Sequence, residues 1–172
     1  MATQIVDARA KAVMELEPEA ARCHAQIAAG ERLEIQYLGP PENLAQAVHN
    51  SLAEDLRRGS TSVGPHRDDL RVLLDGRDAR SYGSQGQQRT AVVSLKLAEA
   101  ALIERRAGER PVLLLDDVLS ELDGERRAAL LQEVAEGGQV VITSVEAGPF
   151  PPELIATAMV WTVNEGRIQA CG

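Results

Sequence analysis

Four short stretches carry side chains that can do chemistry. VLLLDD, Val112–Asp117, is a continuous apolar run that ends in two adjacent carboxylates. Such a run is typical of a parallel strand buried on both faces. In open α/β sheets ligands bind beyond the C-terminal edge of the strands. An acid placed there, Asp116, can hold Mg²⁺ directly or through water, and its neighbour Asp117 can polarise an attacking water. The plainer alternative is a pair of solvated loop acids behind a core strand. GSQGQQR, Gly83–Arg89, sets glycines, a serine and glutamines immediately before a strong helical stretch. A helix N-terminus offers free N–H groups and the positive end of a dipole, and glycine lets a ligand approach the backbone closely, so this is a natural site for a phosphate. The alternative is an ordinary turn capped by Ser84. SELD, Ser120–Asp123, follows the acidic strand tip and by itself is a weak helix-capping signal. GPHRDDL, Gly64–Leu70, gathers His66, Arg67, Asp68 and Asp69. A metal site is conceivable there, but adjacent residues cannot easily all face one ion, which favours a hydrogen-bonded turn.

These stretches need elements to position them. Residues 2–28 read as a helix interrupted near Pro18, with Ile5, Ala8, Ala12 and Leu16 at helical spacing and Gly30 as a stop. Leu33–Leu38 alternates as a strand. Leu44–Leu56 reads as an amphipathic helix with Leu44, Val48, Leu52 and Leu56 on one stripe. Leu70–Gly76 reads as a strand entering a turn, and a helix is expected from about Gln87 to Arg106. After the Val112–Asp117 strand, Asp123 can cap a helix that runs to about Glu136 and stops at Gly137-Gly138, with Leu130, Leu131 and Val134 facing inward. Gln139–Thr143 is a second apolar strand. Met159–Val163 and Arg167–Ala170 flank Asn164-Glu165-Gly166 and suggest a terminal hairpin. The helix–strand–helix–strand order of the second half argues an α/β layer with a largely parallel sheet.

Bulk properties bound the choice. The 172 residues suffice for one domain with a core, and 2% aromatic content means that Leu, Val, Ile and Ala must fill it. A net charge of -8 argues against a surface coated with charge for nucleic acid. No apolar run approaches the roughly 18 residues of a membrane span, and the N-terminus lacks a signal-peptide core. Cys23 and Cys171 follow no metal-ligand spacing, and a reduced, cytoplasmic protein is expected. The cations are sixteen Arg and only Lys11 and Lys96. Neither lysine sits in a G-x-x-x-x-G-K-S/T loop, the grip that reaches the β- and γ-phosphates.

Taken in order, the phosphate-type turn and helix, the strand with two acids, S-E-L-D and a strand ending in Thr143-Ser144 resemble the C-terminal lobe of an ABC-type ATPase head. Ser84–Arg89 looks like the signature motif, Val112–Asp117 like Walker B and Ser120–Asp123 like the D-loop. Thr143 or Ser144 falls where many such heads carry a switch histidine. GPHRDDL, GSQGQQRT, LKLAE, LLLDDVLSELD and ERR together resemble the RecF family of DNA replication and repair proteins. The match is specific from about Thr61 to Thr143 and collinear beyond. The resemblance implies residues 1–30 as the remnant of a helical arm and 31–172 as the C-terminal lobe, with the P-loop half absent.

It further implies ATP and Mg²⁺ as cofactors in an ATP-gated clamp. Asp116 would hold Mg²⁺ and Asp117 would activate water. Ser84 and the backbone of Gln85, Gly86 and Gln87 would contact the γ-phosphate of an ATP held by another subunit. Gln88, Arg89, Ser120 and Thr143 would belong to the same cofactor site, and Asp123 and its neighbours would couple the two sites. Implied partners are a P-loop-bearing RecF half or full-length RecF in an ATP-dependent dimer, RecO and RecR, and DNA at single-strand/double-strand junctions, in recombination, replication, repair and the SOS response. The chain alone is expected not to turn over ATP. Two other readings stay open: a non-catalytic docking module, and a lobe of an SMC-like chromosome ATPase. Against the latter, SMC-like ATPases carry long heptad coils, whereas fewer than thirty helical residues precede Gly30.

Overall fold

A computed structural model describes residues 2–135, 138–146 and 148–171. The chain opens with α1 (Ala2–Ile27) and β1 (Leu33–Leu38), followed by α2 (Leu44–Arg58). Next come a 3₁₀ turn (Pro65–Arg67), β2 (Asp69–Leu74), β3 (Arg77–Asp78) and α3 (Ala79–Tyr82). The second half runs α4 (Gln85–Ala107), β4 (Leu113–Asp116), a 3₁₀ turn (Leu119–Glu121), α5 (Gly124–Ala135) and β5 (Val140–Thr143). It closes with α6 (Pro152–Thr157), β6 (Val160–Asn164) and β7 (Arg167–Cys171). β4 and β5 pair in parallel, with Leu113 opposite Val140 and Asp116 opposite Thr143. β1, β2 and β3 form an antiparallel sheet, and β6–β7 is the expected terminal hairpin. The architecture is therefore α/β, with its parallel sheet confined among the described residues to β4–β5.

The core lies where α1 packs on α4, β1 and α5. Ala20, Cys23 and Ile27 of α1 meet Ala91, Leu97 and Ala98 of α4, with Leu33 and Ile35 of β1. Leu119 and Leu130 are wholly buried and pin the 3₁₀ turn after β4 to α5. Small residues on α1 and α4 allow close helix approach, which suits a chain poor in aromatics. Burial drives the Cys23 thiol up to about 11, while Cys171 is exposed, and both are free.

Three sequence expectations are corrected. The break at Pro18 does not occur, and α1 runs through it. Proline removes the hydrogen bond to the carbonyl four residues back, here that of Met14, a residue 77% exposed, where water can satisfy the carbonyl. The β4 run is not buried on both faces: Leu115 is buried but Leu114 is 73% exposed, because in this chain only one face of the β4–β5 pair is covered. The α2 stripe does not enter the core either, since Val48, Leu52 and Leu56 are all exposed. β3 was not expected. It follows Asp75-Gly76, both at positive φ (49° and 75°), the conformation of a two-residue hairpin turn. The expected stop at Glu136 and Gly137 falls outside the described residues. Among those described, no helix is long and apolar enough to cross a membrane.

Candidate functional site

The two acids sit at the C-terminal tip of β4 and are exposed. Parallel pairing brings Thr143 opposite Asp116. The Thr143 hydroxyl donates to Asp116 Oδ1 at 2.5 Å and accepts from the Asp117 backbone N–H at 3.1 Å. One hydroxyl thus fixes both the Asp116 carboxylate and the Asp117 backbone. Asp117 itself has φ 50°, a left-handed conformation that aspartate tolerates at some cost. Ser120 Oγ donates to the Asp117 carbonyl at 2.9 Å. Arg127 clasps the same turn, donating to the Leu119 carbonyl at 3.1 Å and the Leu122 carbonyl at 2.8 Å. Asp117, Ser120, Arg127, Ser144, Glu146 and Pro149 border a hollow of about 320 Å³. Ser144 Oγ donates to the Glu146 carbonyl, so Thr143 and not Ser144 engages the acids.

The Gly83–Arg89 turn forms a full capping box. Ser84 Oγ accepts from the Gln87 N–H at 3.2 Å, and Gln87 Oε1 accepts from the Ser84 N–H at 2.9 Å. The helix therefore starts at Gln85, two residues before the expected Gln87. Gln88 Nε2 donates back to the Gly83 carbonyl at 3.0 Å. Gly83 has a local steric reason: a Cβ there would lie 2.6 Å from the Ala79 carbonyl oxygen. Gly86 has none of that kind, since its Cβ would meet only Arg126 Nη1 at 3.7 Å.

Asp123 caps α5 through its Oδ1 and the Arg126 N–H at 2.9 Å. Arg89 pairs with Glu121, which joins the start of α4 to the Ser120–Asp123 turn. No hydrogen bond or ion pair among the described residues joins Ser84–Gln88 to Asp116 or Asp117. The candidate residues thus form two groups, an acid tip with Thr143 and Ser120, and a capped turn tied to Asp123. Glu31 and Arg126 link the second group and were not singled out by sequence. Arg126 lies within the ERR stretch, but Glu31 follows a helix stop and carries no pattern.

The Gly64–Leu70 turn is structural. His66 Nε2 lies 3.0 Å from both Thr61 Oγ1 and the Thr61 carbonyl, and Arg67 donates to that carbonyl. Asp68, nearly buried, accepts from Arg9 at 2.9 Å and from Tyr37. No cluster of three His, Cys, Asp or Glu suited to a metal occurs among the described residues.

No family model matches the chain. DNA replication and repair protein RecF of Synechocystis sp. is 41% identical over 181 residues, spanning 98% of this chain and 47% of its own length. That of Heliobacterium modesticaldum is 47% identical over 128 residues, 74% of this chain and 34% of its own. In three dimensions the chain is similar to the recombination mediator protein RecF with ATP, of the RecFOR pathway. The TM-score is 0.78 at 34% identity, covering 99% of this chain and 47% of that one. A solved structure of the SMC ATPases, at TM-score 0.57 and 12% identity over 96% of this chain and 87% of that one, shares the fold. The chain spans about half the length of the curated RecF relatives it matches.

Proposed function

Because the chain belongs to the RecF family and corresponds to its C-terminal half, we propose that it supplies the signature turn and the acid tip of an ATP-gated DNA-repair clamp. The observation that carries this reading is the acid tip, where Thr143 locks Asp116 and the Asp117 backbone together at the edge where α/β sheets bind ligands. The donors fit Mg²⁺, which takes hard oxygen ligands and is commonly bound by one or two carboxylates plus phosphate. Asp116 would hold it, and the ion would neutralise phosphate charge when bound. Asp117 would accept a proton from, or orient, the attacking water.

The capped turn would serve a second nucleotide. Among the described residues it shares no hydrogen bond or ion pair with the acids of its own chain, and it lies at the positive end of a 23-residue helix. Ser84 and the backbone of Gln85, Gly86 and Gln87 would meet the γ-phosphate of an ATP gripped by a P-loop across a dimer interface, with Gln88 and Arg89 fixing the turn from behind. Asp123 would couple the two sites. The clamp would work in the cytoplasm on DNA at single-strand/double-strand junctions, loading recombinase with RecO and RecR, with α1 as the base of an arm.

The test is ATP turnover on mixing this chain with a P-loop-bearing RecF half. Turnover should need both pieces and fall by about 10²-fold or more in Gly86→Ala or Asp117→Asn, the scale of losing one transition-state contact. Gly86→Ala has room for its methyl group, so the loss would not come from misfolding. Turnover by this chain alone that vanishes in Asp116→Ala would overturn the reading. One observation favours a second reading, a docking module: Leu114 and Val141 on β4–β5, with Val112 just before β4, expose apolar surface. Association with the P-loop half and no effect of Asp117→Asn on turnover would select it.

A further inference from the structure

A side-chain network joins the capped turn to Asp123 through a residue far from both in sequence. Glu31 lies in the turn between α1 and β1. Its Oε2 accepts from Gln87 Nε2 at 2.9 Å, and its Oε1 accepts from Arg126 Nη2. Arg126 reaches across from the first turn of α5. Its Nη1 donates to Thr90 Oγ1 at 3.3 Å, and its Nε is 3.5 Å from Asp123 Oδ2. Gln87 is also the capping partner of Ser84. An unbroken run of polar contacts therefore leads from Ser84 through Gln87, Glu31 and Arg126 to Asp123.

The central pair is largely withdrawn from water, with the Arg126 and Glu31 side chains 19% and 13% exposed. Such a pair contributes little net stability over apolar residues of the same shape, because desolvation offsets the attraction. Its best-attested use is to fix a geometry. Here the guanidinium donates to Thr90 of α4 and Glu31 of the α1–β1 turn and lies in ion-pair range of Asp123, just before α5, so its three partners come from separate parts of the fold. A planar fork suits that task where an ammonium would not.

Resting on the ATP-head reading above, we propose that Glu31 and Arg126 are positioning residues that hold the signature turn and the Asp123 turn in one fixed relation. Neither touches nucleotide. They set the spacing between the surface that meets the γ-phosphate and the residue that couples the two sites.

The test uses Glu31→Gln, Arg126→Lys and the charge exchange Glu31→Arg/Arg126→Glu, with two readouts. The first is amide hydrogen exchange of the whole chain without nucleotide. Each single variant should speed exchange at the Ser84 and Gln87 amides by about tenfold, the equivalent of one charge-assisted hydrogen bond. Amides from Leu97 onward in α4 and the unfolding midpoint should hold, and the charge exchange should recover part of the loss. The second is ATP turnover with a P-loop-bearing half, where kcat should fall with KM for ATP unchanged. Unaltered exchange at Ser84 and Gln87 in the single variants would overturn the proposal. So would a uniform loss of protection along α4 with a lowered midpoint, since that is a role in folding only. If exchange responds as expected but the wild-type mixture turns over no ATP, the positioning stands and the ATP-head reading fails.

Discussion

Acidifying the chain should loosen the α1–α4 interface through one residue, His24. The imidazole is wholly buried. Its Nδ1 lies 3.1 Å from Ser94 Oγ, and Ser94 Oγ donates to the Thr90 carbonyl at 2.7 Å. With that hydrogen committed, the Ser94 oxygen can only accept from His24, which assigns the neutral ring's proton to Nδ1. Nε2 is left buried without a partner, so a second proton would sit on a nitrogen with no acceptor. Burial accordingly pushes His24 below its ordinary value of 6.5, with Glu31 and Asp75 pulling it up and Arg126 pulling it down.

The sign of the effect follows from proton uptake. Below pH 6.5 the unfolded chain binds a proton that the folded chain refuses, so stability is full above that pH and falls as pH drops through it. The loss between pH 7 and pH 5 has a ceiling of about 2 kcal/mol, the limit RT ln(1 + 10^1.5) set by the unfolded histidine's ordinary 6.5. Asp55, held low by its bond from Ser62, and Asp78, held low by the Ser81 N–H, act only below their ordinary 3.8, outside this window. The urea midpoint should be lower at pH 5 than at pH 7 in the wild type, by up to about 1 M, and the difference should shrink in His24→Gln. Equal shifts in the two proteins would refute the argument, as would a native His24 ring titrating at its ordinary value.

Thr143→Val keeps the shape but removes both bonds to the acid tip; because the site is exposed, the cost should be about 1 kcal/mol, with faster exchange at the Asp117 amide and recovery in Thr143→Ser. Gly83→Ala should destabilise by about 1–3 kcal/mol, since its Cβ would press on the Ala79 carbonyl. Gly86→Ala should be neutral or stabilising by up to about 1 kcal/mol in the same denaturant assay. Leu114→Lys should change the stability of the chain alone by less than about 0.5 kcal/mol, because that side chain is already exposed, yet weaken association with a P-loop-bearing half by more than about tenfold in a titration.

What the sequence made legible was local. Ser84 and Asp123 announced their helices because capping acts within three residues. The Val112–Asp117 and Gln139–Thr143 runs announced strands because apolar density does so without context. The Glu165-Gly166 turn, both residues at positive φ, was readable for the same reason. Asp75-Gly76 carried an equal signal that β3 would follow, but β3 is two residues long and too short to show a pattern. What stayed hidden depends on contacts far apart in sequence. Glu31 meets Gln87 and Arg126 across separations of 56 and 95 residues, and nothing around Glu31 marks it. The Thr143 hydroxyl became meaningful only once parallel register set it opposite Asp116.

The mismatch at β4 is the more informative one. A strand apolar at every position from Val112 to Leu115 is written for cover on both faces, and this chain covers one. Leaving Leu114 out in water forgoes about 1.5–3 kcal/mol of burial, and Val141 on β5 and Val112 just before β4 add to that. Proteins seldom expose contiguous apolar surface without a partner for it. Here the uncovered surface adjoins the acid tip, so a partner packed on β4–β5 would lie beside Asp116 and Asp117. On the proposed reading, the contact that covers this surface would also bring the P-loop-bearing half to the acids. Folding and activity in this lobe should respond together to the partner half.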